Sequence, residues 1–179
     1  MTQERVESSA TETADERTPW SQLAGVAGRV HSEGVTRGER AELRRMRHQD
    51  IPPEIYWRLT DQLTWPRGRQ EFDNYWMAVL PLMARNKYEP KARPSRVIAA
   101  AGVKPARVER WLRRDRDSAW AEAGRLLSMT KGASLDWAVL GYLLYAWDDP
   151  SIKRDFAREY FRAARTRAAQ GNDDKEGDS

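Results

Sequence analysis

Few residues of this chain are of a type and spacing that could carry out a reaction. The sequence has no cysteine and two histidines, His31 and His48, neither of which has a partner at metal-ligand spacing. It also lacks the GxxxxGK[ST] phosphate loop, the GxSxG nucleophile elbow and the HExxH zinc motif. We therefore predict no enzymatic activity, no cofactor and no metal site.

Asp148 and Asp149 form an adjacent carboxylate pair that could, in principle, bind a metal. They directly precede Pro150, where a helix is predicted to begin. Acidic side chains at a helix start accept hydrogen bonds from free backbone N–H groups and interact favourably with the helix dipole. We therefore interpret the pair as a helix start rather than a catalytic site.

Arginine is the residue whose distribution points to a ligand. The chain has 25 arginines against 6 lysines and a net charge of +4. Residues 1–19 and 171–179 each carry a net charge of −3, which leaves +10 on residues 20–170. A basic body favours a polyanionic partner, and the planar guanidinium suits phosphate. A GC-rich genome would also raise the share of arginine, but it would not explain how the charge is distributed.

The elements that must position these arginines are predicted to be helices. Apolar residues recur at helical spacing, and no run of alternating β-branched residues predicts a strand. We expect an all-α fold of about eight to nine helices in two packed helical lobes. The predicted divisions are an acidic disordered tail at 1–17, a lobe at 18–85, a linker at 86–94, a lobe at 95–170 and a second acidic disordered tail at 171–179.

Capping residues and prolines mark where the helices are expected to begin. Thr18 followed by Pro19 opens the first helix, and Thr36 and Glu39 have the spacing of a capping box. Further caps are expected at Ser95, at Asp117 or Ser118, and at Ser134.

The segment 105–114 is predicted to be a helix with opposed apolar and basic sides. A rotation of about 100° per residue places Val108 and Trp111 on one side and Arg107 and Arg110 on another. The surrounding block, residues 85–116, holds eleven bases and three acids. So many like charges would repel one another without an anion nearby, which favours a polyanion site over a merely solvated face.

The last predicted helix carries a similar basic stripe, for which two interpretations remain open. Its acids Asp155 and Glu159 could pair with the arginines, in which case the stripe is only a solvated face. Alternatively, it could contribute to the same polyanion site. The stripe consists of Arg154, Arg158, Arg162 and Arg165.

The segment 97–112, VIAAAGVKPARVERWL, resembles a helix-turn-helix with Gly102 in the turn. Its second helix would present Lys104, Arg107 and Arg110 to a major groove. Any helical hairpin with a glycine turn has a similar pattern. A helix-turn-helix transcription regulator is therefore the alternative function.

Several segments, taken in order, resemble the small subunit of type I-E CRISPR Cascade complexes, the CasB family. They are GERAELRRM, IPPEIYWRL, the Trp-Pro-Arg at 65–67, RVIAAAGVKPARVERWLRRDR, GRLL, LDWAVLGYLLYAW and RDFAREYF. Order and spacing agree over residues 20–167, leaving out the acidic tails.

This resemblance implies an all-helical, non-catalytic subunit, present as two copies in the guide-RNA complex. The implied partners are the backbone and large subunits of Cascade, the guide RNA, both strands of target DNA and a second copy of the chain. The subunit would help to hold the R-loop, including the displaced strand, and would need no small-molecule substrate. Because base pairing reads the sequence in such complexes, the protein need only hold backbone.

The basic contact positions of the family fall on Arg45, Arg67, Arg107 and Arg125, with Arg113 and Arg116 nearby. Where some members carry bases after the apolar LDW helix, this chain has Asp148. That basic role would then move to Lys153 and Arg154. The predicted nucleic-acid-binding set is Arg44, Arg45, Arg67, Arg107, Arg110, Arg113, Arg116, Arg125, Lys153 and Arg154.

Two further expectations concern the apolar residues. The most apolar run, 135–147, is too short to span a bilayer, and residues 1–19 have no signal-peptide core, so we expect a soluble, cytoplasmic protein without membrane contact. Trp57 and Trp65 could serve a subunit interface, but we expect them to pack in the core.

Overall fold

A computed structural model of the protein describes residues 18–47 and 49–176, with side chains as far as residue 170. Over these residues the chain is all-α, which confirms the predicted fold class and helix number. In order, the helices are α1 Pro19–Val30, α2 Arg37–Arg45, α3 Glu54–Thr60, α4 Arg69–Met83, α5 Pro94–Ala100, α6 Pro105–Leu112, α7 Arg116–Ser128, α8 Trp137–Tyr145 and α9 Pro150–Glu176. An isolated β-bridge joins Tyr88 to Leu135.

Two predicted helix starts are confirmed. The hydroxyl of Thr18 accepts a hydrogen bond from the backbone N–H of Ser21 at 3.3 Å and caps α1. At α2 the capping box is complete, because Thr36 accepts from the N–H of Glu39 at 3.2 Å while its own N–H donates to the Glu39 carboxylate at 2.7 Å. The backbone hydrogen bond from Thr36 is the main reason that the pKa of Glu39 lies below its usual range.

Three other predicted caps are wrong. Ser95 lies inside α5, and its hydroxyl donates to the Glu159 carboxylate of α9 at 2.7 Å. The caps of α7 and α8 are Asp115 and Asp136, whose side chains accept backbone N–H bonds in the first turn. Several polar residues near a helix start can accept such bonds, and tertiary packing decides where the chain leaves the helical conformation. The unused candidates are Asp117, Ser118 and Ser134.

One buried cluster runs through both predicted lobes, since α1 packs against α8 and α5 lies along α9. Within the predicted linker 86–94, Asn86 is buried and its amide donates to the Ala133 carbonyl at 3.0 Å. The division into two lobes therefore stays a prediction. The segment 1–17 lies outside the described residues, whereas α9 continues to Glu176, inside the range predicted as the second tail.

The expectation that both tryptophans pack in the core is wrong for Trp57. This side chain is 52% exposed on α3, where its neighbour Tyr56 takes the buried position. Trp65 packs against the core and contacts Tyr75 and Tyr145 edge-on, with ring centroids 5.1 and 4.5 Å apart. The short helix α3 thus leaves one large aromatic side chain facing solvent. No helix in the described part of the chain is long and apolar enough to cross a membrane.

The contact between α1 and α8 depends on the absence of a side chain at Gly141. A Cβ at this position would lie 2.6 Å from Cδ2 of Leu23 and 2.9 Å from the hydroxyl of Tyr75, which donates to the Gly141 carbonyl at 2.8 Å. Gly141→Ala is therefore expected to lower the free energy of unfolding by about 1–3 kcal/mol through overpacking.

Gly25→Ala is the matched control, because a Cβ added at this exposed glycine of α1 would meet no described residue within 4 Å. It should raise the stability by about 0.5–1 kcal/mol, since alanine is the better helix former. Urea denaturation measures both changes. Equal stability of the two variants would contradict the close packing at Gly141.

Candidate nucleic-acid interface

The arginines of α6 are held on a rigid support. Val108 and Trp111 are buried, and the indole N–H of Trp111 donates to the carbonyl of Ala119 in α7 at 2.9 Å. Arg107 and Arg110 lie on the exposed side of the same helix. The helix therefore presents its basic side to solvent, as its periodicity predicts.

Arg107 contacts the end of α7, the helix that carries Arg125. The guanidinium of Arg107 lies 2.9 Å from the sulfur of Met129, the residue that follows the last turn of α7. Met129 is four residues after Arg125, and residues at this spacing are neighbours on a helical surface. The two arginines that the family resemblance selects on different helices therefore share one exposed edge.

Most other arginines on this side are exposed. Arg125 pairs with Glu122 at 3.0 Å but its side chain is 80% exposed, and Arg113 pairs with Glu109. Such surface pairs contribute little stability, so phosphate can compete for the arginines. Arg110 has no ion pair with any carboxylate among the described residues. We call Arg107, Arg110 and Arg125 the α6–α7 cluster.

Arg116 is engaged differently. Its guanidinium lies 2.7 Å from the Asp148 carboxylate and 3.9 Å from that of Glu71, and its side chain is only 33% exposed. The buried Nε atom has no hydrogen-bond partner among the described residues. Arg116 thus joins the start of α7 to α4 and to the segment before α9, and a phosphate would have to displace these carboxylates.

The start of α9 confirms the helix-start interpretation for Asp149 but not for Asp148. Asp149 accepts hydrogen bonds from the hydroxyl and backbone N–H of Ser151, at 2.7 and 2.8 Å, and these bonds hold the pKa of Asp149 below its usual range. Asp148 pairs with Arg116. Within the described ranges, no three metal-ligating side chains lie close enough together to hold an ion.

Lys153 and Arg154 follow on the first turns of α9. The ammonium group of Lys153 lies 5.2 Å above the ring centre of Trp147, within the range of a cation–π interaction. The indole N–H of Trp147 donates to the carbonyl of Arg114, just beyond α6. Lys153 is therefore close to the end of α6, while Arg154 is exposed on α9.

The remaining predicted residues lie in the first half of the chain. Arg44 donates through Nε to the carbonyl of Ala84 at 2.8 Å, which ties α2 to the end of α4. Arg45 and Arg67 are exposed, and neither has an ion pair within the described residues. Arg67 follows the cis peptide bond between Trp65 and Pro66.

A groove of about 1020 Å³ lies between α4 and α7, with apolar walls that include Met77 and Trp120. Arg116 lines it together with two arginines outside the predicted set, Arg47 and Arg85. Arg85 also donates to the carbonyl of Arg44 at 3.3 Å. The dense run of bases in 85–116 was the signal in the sequence that could have selected Arg85.

Comparison with known proteins identifies the family. The sequence model of the CRISPR-associated protein Cse2 family matches residues 39–161. The chain belongs to the Cse2 family. This confirms the resemblance to the small subunit of type I-E Cascade. The matched range of the Cse2 model contains all ten predicted nucleic-acid-binding residues, whose individual roles stay predictions.

A structural comparison agrees on the fold of this Cse2 protein. The chain is similar to a subunit in the crystal structure of E. coli Cascade bound to a PAM-containing dsDNA target, with a TM-score of 0.62 and 18% sequence identity. The similarity covers 80% of this chain and 95% of the E. coli chain. A comparison with curated protein sequences gave no match.

Proposed function

We propose that this Cse2 protein is the non-catalytic small subunit of a type I-E Cascade surveillance complex in antiviral defence. In this function it binds nucleic acid through basic helix faces and stabilises the R-loop that the guide RNA forms on target DNA. Its partners are the Cascade backbone and large subunits, guide RNA, both DNA strands and a second copy of itself, in the cytoplasm.

The observation that carries this proposal is the α6–α7 cluster. Its arginines are exposed and come from two helices, α6 and α7. The indole of Trp111 fixes α6 against α7 by a hydrogen bond. A surface assembled from several helices suits the sequence-independent holding of a phosphate backbone, whereas base readout needs one helix placed in a groove. Membership in the Cse2 family indicates the complex, type I-E Cascade, in which such a surface would be needed.

The test is reconstitution of a type I-E complex on its guide RNA, with and without this chain. We expect the complex lacking the chain to lose its R-loop faster, and addition of the purified protein to restore the lifetime. Footprinting of the displaced strand with a single-strand-specific nuclease measures this lifetime. Failure of the chain to join the complex, or an unchanged lifetime, would overturn the proposal. So would tight, sequence-specific duplex binding by the isolated protein.

A further inference from the structure

A second basic surface lies between α5 and α9. The groove there has a volume of about 900 Å³, and five arginines line it together with Asp155 and Glu159. None of the ten predicted nucleic-acid-binding residues is among its lining residues. We call this surface the α5–α9 groove. Its arginines are Arg93, Arg96, Arg158, Arg162 and Arg167.

The two acids of the groove do not neutralise it. Asp155 pairs with Arg158 at 2.8 Å, and Glu159 pairs with Arg96 at 2.9 Å. The other three arginines have no ion pair with any carboxylate of the described residues, so the groove keeps a net positive charge. They are Arg93, Arg162 and Arg167.

Tertiary packing places these three arginines together. α5 lies directly along α9, and Glu159 fixes the pair by accepting hydrogen bonds from Ser95 and Arg96 of α5. Arg167 extends over the turn after α5, where a Cβ at Gly102 would lie 2.9 Å from its Nη1 atom. Gly102 has a φ of +75°, so the turn and the close approach both favour glycine.

The basic surface continues past the start of α5. Arg93 and Arg96 also line an adjoining pocket of about 540 Å³, together with Lys91, Trp20 and Asp136, whose carboxylate caps α8. Trp20 is 42% exposed and stacks on Tyr142 with the ring centroids 4.3 Å apart. Trp20 is thus a partly exposed indole, supported on one side by Tyr142, that lies next to a row of basic side chains. Such an arrangement can hold unpaired nucleobases by stacking while the phosphates contact the basic side chains.

The exposed indole of Trp20 favours one strand over a duplex. Only an unpaired base can stack on an indole, whereas phosphate contacts alone would not distinguish a single strand from a duplex. Residues 155 to 170 of α9 extend for about 22 Å, which is long enough to contact several successive phosphates.

We propose that the α5–α9 groove binds a single-stranded nucleic acid, with its phosphates on Arg93, Arg162 and Arg167 and an unpaired base on Trp20. This site is separate from the α6–α7 cluster and does not depend on it. The stripe of arginines in the last helix is thus divided, because Arg158 and Arg162 line the groove while Arg165 lines another surface with Phe161.

The first test measures binding of the full-length protein to fluorescein-labelled dT15 by fluorescence anisotropy at several salt concentrations. Removing three phosphate contacts should lower the slope of log affinity against log salt by about 2, and the affinity itself on the order of 100-fold. The groove variant is the triple Arg93→Gln, Arg162→Gln and Arg167→Gln. The charge-matched control, which should bind like the wild type, is Arg37→Gln, Lys87→Gln and Arg165→Gln.

A second test concerns the stacking base. Trp20→Leu should weaken binding of dT15 about tenfold and leave binding of a blunt 15-base-pair duplex unchanged, because only unpaired bases can stack on an indole. Trp20→Phe should restore most of the affinity. Parallel titrations with rU15 show whether DNA or RNA is preferred.

Two outcomes would overturn the inference while leaving the proposed function intact. One is loss of dT15 binding on removal of the α6–α7 cluster, with no effect of the groove variant. The other is that polyglutamate displaces labelled dT15 from the protein as strongly as unlabelled dT15 does, which would assign the groove to an acidic protein surface. Conversely, the complex lacking this chain could keep its R-loop as long as the complete complex does. That result would overturn the proposed function and leave the groove result standing.

Discussion

Replacing Arg107, Arg110 and Arg125 together by glutamine is expected to lower the DNA affinity of the reconstituted complex on the order of 100-fold. Each side chain should lose a charge-assisted contact worth about 1 kcal/mol, and 1.4 kcal/mol corresponds to a factor of ten. The slope of log affinity against log salt should fall by about 2–3, since each phosphate contact contributes 0.7–0.9.

The exposure of these side chains makes the experiment interpretable. Among the described residues, the three arginines make no hydrogen bond to a buried carboxylate, so neutralising them should leave the free energy of unfolding almost unchanged. The triple Arg37→Gln, Lys87→Gln and Arg165→Gln changes the charge equally on other exposed surfaces. If both triples weakened binding equally, net charge rather than the α6–α7 cluster would be responsible. Unchanged affinity would remove these residues from the interface.

Trp111→Ala is expected to lower the free energy of unfolding by about 3–5 kcal/mol. Trp111 is 1% exposed, its ring centre lies 4.9 Å from that of Trp147 and 5.5 Å from that of Phe156, and its N–H satisfies the Ala119 carbonyl. The substitution leaves a cavity and removes the hydrogen bond that joins α6 to α7.

Trp57→Ala provides the comparison, because the same side chain is removed from a position that is 52% exposed. Its cost should be within about 1 kcal/mol, as is usual for surface substitutions. Midpoints of guanidinium denaturation measure both variants, with the slope checked for a change in the unfolded state. A cost for Trp111→Ala no larger than that for Trp57→Ala would show that α6 is not anchored through this indole.

The apolar and basic sides of α6 show why some exposed surfaces could be recognised from the sequence. In α6 the apolar and basic residues alternate with the helical period, so Val108 and Trp111 were expected inside and Arg107 and Arg110 outside. Both expectations are confirmed, because a period of 3.6 residues fixes which residues share a side once the helix forms. The expectation that Trp57 packs in the core was wrong, since a short helix with several large apolar residues does not determine which of them meets the core.

The sequence alone predicted only part of the candidate site. Family resemblance selected Arg107 and Arg125, and the structure brings them to one edge through Met129. It does not bring all ten predicted residues together, because Arg44 is tied to Ala84 and Arg116 to Asp148. These partners are 40 and 32 positions away in sequence, so no local pattern could reveal them.

The sequence by itself determined that the candidate ligand-binding residues are mostly arginines on helices. It determined the all-α class, the capping box at Thr36 and the glycine turn at Gly102, because such features depend on interactions within about four residues. Only the tertiary structure decided which arginines are available to a ligand. Ion pairing and burial depend on which helices pack together, and the packing of α5 on α9 leaves Arg93, Arg162 and Arg167 in one groove without a carboxylate partner among the described residues.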